Sequence, residues 1–110
     1  MNLDLFDSAD TLEPRRQALA PGALLLRGFA TPHAHTLLEC AQQVIAQAPL
    51  RHMLTPGGQR MAVAMSNCGP LGWISDSRGY RYAGADPQSG LPWPTMPALY
   101  ARLAADAAAQ

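Results

Sequence analysis

Between residues 73 and 82 the chain sets three aromatic rings beside two arginines: Trp73, Tyr80 and Tyr82, with Arg78 and Arg81. Flat rings give a nucleobase a stacking surface, and a planar guanidinium gives a phosphate a two-pronged partner. Upstream, Arg51 and Arg60 extend the basic set. Arg51, Arg60, Arg78 and Arg81 are therefore candidate phosphate contacts, and ordinary solvated surface charge is the alternative. Just before the rings, Met61, Val63, Met65 and Asn67 alternate with Ala62, Ala64, Ser66 and Cys68. On a strand this makes one face bulky and soft and the other small. Such a methionine row serves either as core filling or as a pliable binding wall.

Other chemistry finds less support. The three histidines are His33, His35 and His52, and none begins a His-x-Asp or His-x-Glu pair. His33 and His35 lie two apart at a helix start, where they point different ways and cannot share an ion. Cys40 and Cys68 allow at most one bridge and lack zinc-ligand spacing, so two reduced, buried thiols in a cytoplasmic protein are expected. All eight basic residues are Arg and the formal net charge is zero, yet between residues 40 and 85 four Arg face the single acid Asp76. There is no apolar run of membrane-spanning length, and the N-terminus carries Asp4, Asp7, Asp10 and Glu13 where a signal peptide would be basic. No membrane partner and no secretory signal are expected.

The elements that must position these side chains read as α+β. Val and Ile supply four residues against fifteen Leu, which disfavours a sandwich of β-branched strands. Residues 1–22 read as an N-terminal arm held by Leu3, Leu5 and Phe6. Residues 23–29 (ALLLRGF) read as a strand covered on both faces. A helix then starts at an N-cap Thr31 with Pro32 in its first turn. It turns Ala34, Leu37, Leu38, Ala41, Val44, Ile45 and Ala48 toward a core and stops at Pro49. Residues 50–68 read as a hairpin, because Pro56-Gly57-Gly58 supplies a fixed φ and two residues free to take positive φ. An irregular, aromatic-rich stretch follows. Residues 85–97, with four prolines, read as a turn-rich connection anchored by Trp93. A C-terminal helix after Pro97 carries Leu99, Leu103 and Ala107 at spacings of four.

Several patches in order carry a family resemblance: Thr55-Pro56-Gly57-Gly58; Met61-x-Val63-Ala64-Met65-x-Asn67-Cys68-Gly69; Leu71-Gly72-Trp73; Gly79-Tyr80-x-Tyr82; Asp86-Pro87; and Pro92-Trp93-Pro94-x-Met96-Pro97. Together with Leu3-Asp4-Leu5-Phe6 and Pro21-Gly22-Ala23, they resemble the N-terminal part of the AlkB family of nucleic-acid dealkylating dioxygenases. The resemblance implies that residues 23–110 are the nucleotide-recognition lid part of a single domain, an incomplete part of a double-stranded β-helix (jelly-roll) dioxygenase. It implies that Trp73 stacks on the damaged base, that Tyr80 approaches the backbone phosphate, and that Thr55, Met61 and Met65 line or support the lid. A cationic N-alkylated base gains cation–π attraction from an indole face, which agrees with that role. Gln59 departs from the pattern where relatives carry an aromatic, and Pro70 stands where a polar residue is expected.

The intact family enzyme uses Fe(II), held by His-x-Asp…His, and 2-oxoglutarate, held by Arg and Asn of the jelly roll. Those ligands are expected beyond residue 110, so no cofactor is expected on these residues and the chain alone is expected to be catalytically inactive. The expected partner is alkylated single- or double-stranded DNA, or RNA. Two other readings stand beside it. One is a stand-alone module binding single-stranded nucleic acid; the other is a non-functional truncated remnant that self-associates through the face meant for the jelly roll.

Overall fold

The structure, a computed structural model, describes residues 15–110 and is α+β. The expectation about Leu3, Leu5 and Phe6 lies outside these residues. The described strands pair as three separate two-stranded antiparallel sheets. Residues 38–98 form one compact unit, and the described residues 15–37 and 99–110 belong to another.

In the latter unit, β1 (Arg15–Ala20) pairs with β2 (Ala23–Arg27) around Pro21-Gly22. Gly22 takes φ 79° there, a conformation only glycine adopts without strain. Within the span 1–22 read as an N-terminal arm, residues 15–20 form β1. The sequence RRQALA has no β-branched residue and gives no local strand signal, so the strand owes its existence to the backbone partner across the turn. The covering of β2 on both faces is corrected, since Leu24 is exposed while Leu25 and Leu26 are half-buried.

A 3₁₀ turn at Thr31–His33 leads into α1 (Ala34–Gln47). Thr31 is not the N-cap: Ala30 precedes the turn and no side chain caps it. Pro32 tolerates the first-turn position because its missing N–H would have had no partner there. Along α1 and its end, Val44 and Ala48 are buried and Leu37 and Ala41 half-buried, whereas Leu38 is 65% exposed and Ile45 is also exposed. The covered stripe is narrower than the sequence periodicity suggests.

In the unit of residues 38–98, β3 (Arg51–Leu54) and β4 (Arg60–Met65) form the expected hairpin. Gly58, at φ 87°, meets the turn's need for positive φ. The stretch expected to be irregular is instead a second hairpin, β5 (Gly72–Asp76) with β6 (Gly79–Ala83). Trp, Ile and Tyr favour a pleated surface, and the Asp76 carboxylate accepts the Arg78 N–H at 2.9 Å to close the turn before Gly79, at φ 105°. The core consists of Ala48, Met53, Ile74 and Trp93, with Met61, Met65, Trp73 and Ala83 packed half-buried against it.

Residues 85–97 are a turn-rich connection as expected, folded back by Asp86 N–H to Leu91 O (2.9 Å) and Gly90 N–H to Asp86 O (2.7 Å). The helix α2 (Ala98–Ala108) follows Pro97 with Leu99 buried and Leu103 and Ala107 half-buried. Tyr100 Oη donates to Leu37 O at 3.0 Å. Among the described residues no helix is long and apolar enough to cross a membrane.

Candidate nucleic-acid interface

The register of β5 and β6 decides which side chains meet. Trp73 lies opposite Tyr82 and Ser75 opposite Tyr80, so these four residues share one face of the hairpin. Trp73 and Tyr80, diagonal neighbours, stack with ring centroids 5.6 Å apart and planes 19° from parallel. Tyr80 is 62% and Tyr82 70% exposed, so large aromatic surface remains open to solvent. Ser75 is buried and donates its hydroxyl to Leu54 O at 2.6 Å, which ties β5 to the end of β3.

The opposite face carries charge. Arg81 grips the Asp76 carboxylate with two donors, at 2.8 and 2.9 Å. These hydrogen bonds hold the Asp76 carboxyl well below the usual carboxylate range and raise Arg81 above its ordinary value. Arg78 is 76% exposed and 3.9 Å from the same carboxylate. Arg60 is exposed at the start of β4.

Arg51, the remaining candidate phosphate contact, is engaged within the fold. Its half-buried side chain pairs with the buried Asp86 carboxylate, donates to Pro49 O at 3.3 Å, and lies 5.6 Å from the centroid of the Trp93 ring. The pairing holds the Asp86 carboxyl below its ordinary value, the Arg51 hydrogen bond being the main cause. Trp93 is the anchor expected of it: buried, with Nε1–H donating to Ala83 O at 2.9 Å.

Thr55 is a turn-closing residue. Its N–H donates to Gln59 O at 2.7 Å, its carbonyl accepts Gly58 N–H at 2.9 Å, and its hydroxyl oxygen accepts Gln59 N–H at 3.1 Å. Gln59 is exposed at the edge of that turn. Met61 and Met65 pack half-buried against the core, while Val63 of the same alternating row is 66% exposed. Trp73 and Tyr80 are therefore brought into contact, Met61 and Met65 pack against the same core as Trp73, Thr55 is held in the β3–β4 turn, and Arg60 and Arg78 are the expected cations left exposed.

Sequence reasoning passed over Asn67, Asp76 and Asp86 as partners. Asn67 Nδ2–H donates to Trp73 O at 3.0 Å, and Trp73 N–H donates to Asn67 Oδ1 at 3.2 Å. Asp76 was visible as a lone acid among arginines; Asp86 meets Arg51 across thirty-five positions, with no local signal.

Cys40 and Cys68 are free and half-buried, not buried as expected, and burial pushes the Cys68 thiol up. Among the described residues no three His, Cys, Asp or Glu side chains come together as a metal centre needs. These residues do not fit an iron site.

The chain belongs to the 2OG-Fe(II) oxygenase superfamily, whose family profile matches residues 22–110. Within that class its likeness is to AlkB. It is 47% identical over 106 residues to the alpha-ketoglutarate-dependent dioxygenase AlkB of Escherichia coli, covering 96% of this chain and 48% of that protein. To the AlkB of Salmonella typhimurium it is 50% identical over 107 residues, again 96% of this chain and 48% of the relative. The AlkB homolog of Caulobacter vibrioides is 48% identical over 61 residues, 56% of this chain and 28% of that protein. The chain spans about half the length of the first two relatives.

Proposed function

We propose that residues 23–110 form the substrate-recognition part of an AlkB-like dioxygenase that repairs alkylated DNA or RNA by oxidative dealkylation, within one jelly-roll domain. The observation that carries this reading is the Trp73–Tyr80 stack, beside which Tyr80 and Tyr82 stand exposed on the same face of β5–β6. An alkylated, cationic base stacks on the indole, where cation–π attraction favours it over the neutral base. The Tyr80 hydroxyl and the exposed Arg78 and Arg60 hold the flanking phosphates. Arg81 and Arg51 act one step back, by bracing β5–β6 and the Asp86 loop. Met61, Met65 and Thr55 support the platform from the packed side. In this reading residues 23–110 contribute binding and positioning of the substrate.

The test is fluorescence anisotropy with a single-stranded oligonucleotide carrying one N-alkylated cationic base, against the unmodified strand. Tighter binding of the alkylated strand, lost in Trp73→Ala, supports the reading. Equal binding of both strands, still dependent on Trp73, favours a stand-alone single-strand binder. Binding unaffected by Trp73→Ala overturns the platform itself.

A further inference from the structure

In the two-stranded β5–β6 sheet, the backbone N–H and C=O of Trp73 are engaged by Asn67, so they point away from β6. An antiparallel strand with one neighbour leaves every second residue's polar groups on its open edge, and such groups need a partner when half-buried. A third strand is the usual one. Here a single side-chain amide takes its place, presenting Oδ1 to the N–H and Nδ2–H to the C=O at 3.2 and 3.0 Å.

The surroundings are cut to admit that amide. A Cβ built on Gly72 would come within 2.8 Å of Asn67 Cβ and 2.5 Å of the Trp93 ring, so only glycine at 72 lets Asn67 and Trp93 close on the strand. Past Asn67 the chain is pinned again, since Gly69 N–H donates to Pro94 O at 2.8 Å. Trp93 in turn donates to Ala83 O, the residue paired with Gly72. Asn67 is thus fixed from both sides and fixes Trp73 in its turn.

We propose that Asn67 is a positioning residue for Trp73: its amide sets the height and pitch of the indole that meets the Tyr80 ring, and so the platform on which a base is received. This rests on the base-stacking reading above. The amide is bonded to the backbone of Trp73 and not to its indole. Asn67 is required because only a primary amide of this length supplies a donor and an acceptor to the same residue. Asp supplies no donor, and Gln carries an extra methylene.

The experiment uses the full chain with two readouts. The first is the nuclear Overhauser contact between the Trp73 and Tyr80 rings, with hydrogen exchange of the Trp73 amide. The second is affinity for the N-alkylated single strand. Asn67→Ala is expected to weaken the ring contact, speed Trp73 amide exchange and lower affinity about five- to tenfold, the loss of one to two net hydrogen bonds. Combined with Trp73→Ala it should cause no further loss, because both changes remove one function. Asn67→Asp should resemble Asn67→Ala. Ser66→Ala, which removes a neighbouring hydrogen bond to Ala48 O, should lower stability while leaving affinity unchanged. Should Asn67→Ala fail to fold, Asn67→Gln serves with the same readouts.

An intact ring contact with wild-type affinity in the Asn67 variant overturns the proposal, as does additive loss in the double variant. If the wild type binds no better than Trp73→Ala, the base-stacking reading fails by itself. The ring contact then decides for Asn67: its loss in Asn67→Ala supports positioning, and its persistence overturns it.

Discussion

Trp73 and Tyr80 meet across the diagonal of β5–β6, with centroids 5.6 Å apart, because the register sets Trp73 opposite Tyr82 and Tyr80 opposite Ser75. Each ring therefore presents part of its surface to the other and part to solvent. Replacing Trp73 by Ala should weaken binding of an alkylated single strand by about 1–3 kcal/mol, the range for one base–aromatic stack. Tyr80→Phe keeps the ring and loses the hydroxyl, so a smaller loss is expected there if the hydroxyl meets a phosphate, as proposed above, and none if it does not. Titration by anisotropy at fixed salt checks both.

The two arginines of this hairpin are not equivalent. Arg81 is held by two hydrogen bonds to Asp76, whereas Arg78 stands 76% exposed. A cation that contacts phosphate releases counterions from the nucleic acid; one already neutralised by a carboxylate releases few. Arg78→Ala should reduce the slope of log affinity against log salt by about one. Arg81→Ala should leave that slope nearly unchanged and loosen the hairpin instead. Binding measured across a salt series separates the two.

At Gly72 the constraint is steric. The Trp93 ring and Asn67 Cβ occupy the space a Cβ would need, and both belong to well-bonded parts of the fold. Gly72→Ala should therefore destabilise the chain by about 1–3 kcal/mol, the usual cost of overpacking. Gly57→Ala is the matched control, since a Cβ there meets only Thr55 Oγ1 at 3.9 Å. Urea unfolding midpoints of the two variants give the comparison.

What the sequence reveals and what it hides follow from the range of the interactions. The turn of β3–β4 is spelled out locally by Pro56-Gly57-Gly58, and both helices by apolar residues at helical spacing. Trp73 and Tyr80 stand out because aromatic residues beside arginines are conspicuous, and the AlkB pattern marks the same positions. β1 is invisible because Arg15–Ala20 gains its conformation from pairing with β2. Leu38 and Ile45 fit the helical stripe as well as Val44 does, and periodicity cannot tell which part of a stripe is covered. Arg51 looks like any other arginine until Asp86 is brought to it, and Asn67 looks like a loop residue until its amide is seen against the backbone of Trp73.

The Arg51–Asp86 pair gives stability a definite dependence on pH. The Asp86 carboxyl is held below its ordinary value, chiefly by its hydrogen bond from Arg51, so the unfolded chain binds this proton more readily than the folded one. The pair's contribution is complete above the unfolded carboxyl value, about 3.9. It disappears as the pH falls from there through the folded value. Asp76, also held low by Arg81 and Arg78, acts in the same direction, but its partly exposed pair is screened by salt. At high salt the acid-induced loss of stability should therefore report mainly on Asp86, and Asp86→Asn should flatten it. The same variant should lower stability near neutral pH by about 1–3 kcal/mol, because it leaves the half-buried Arg51 without its carboxylate partner. Arg51 already has a buried Nε without a hydrogen-bond partner among the described residues, so it has little else to turn to. Thermal unfolding between pH 7 and about pH 2 at two salt concentrations measures both effects, and an unaltered acid limb in Asp86→Asn would assign that limb to other carboxylates.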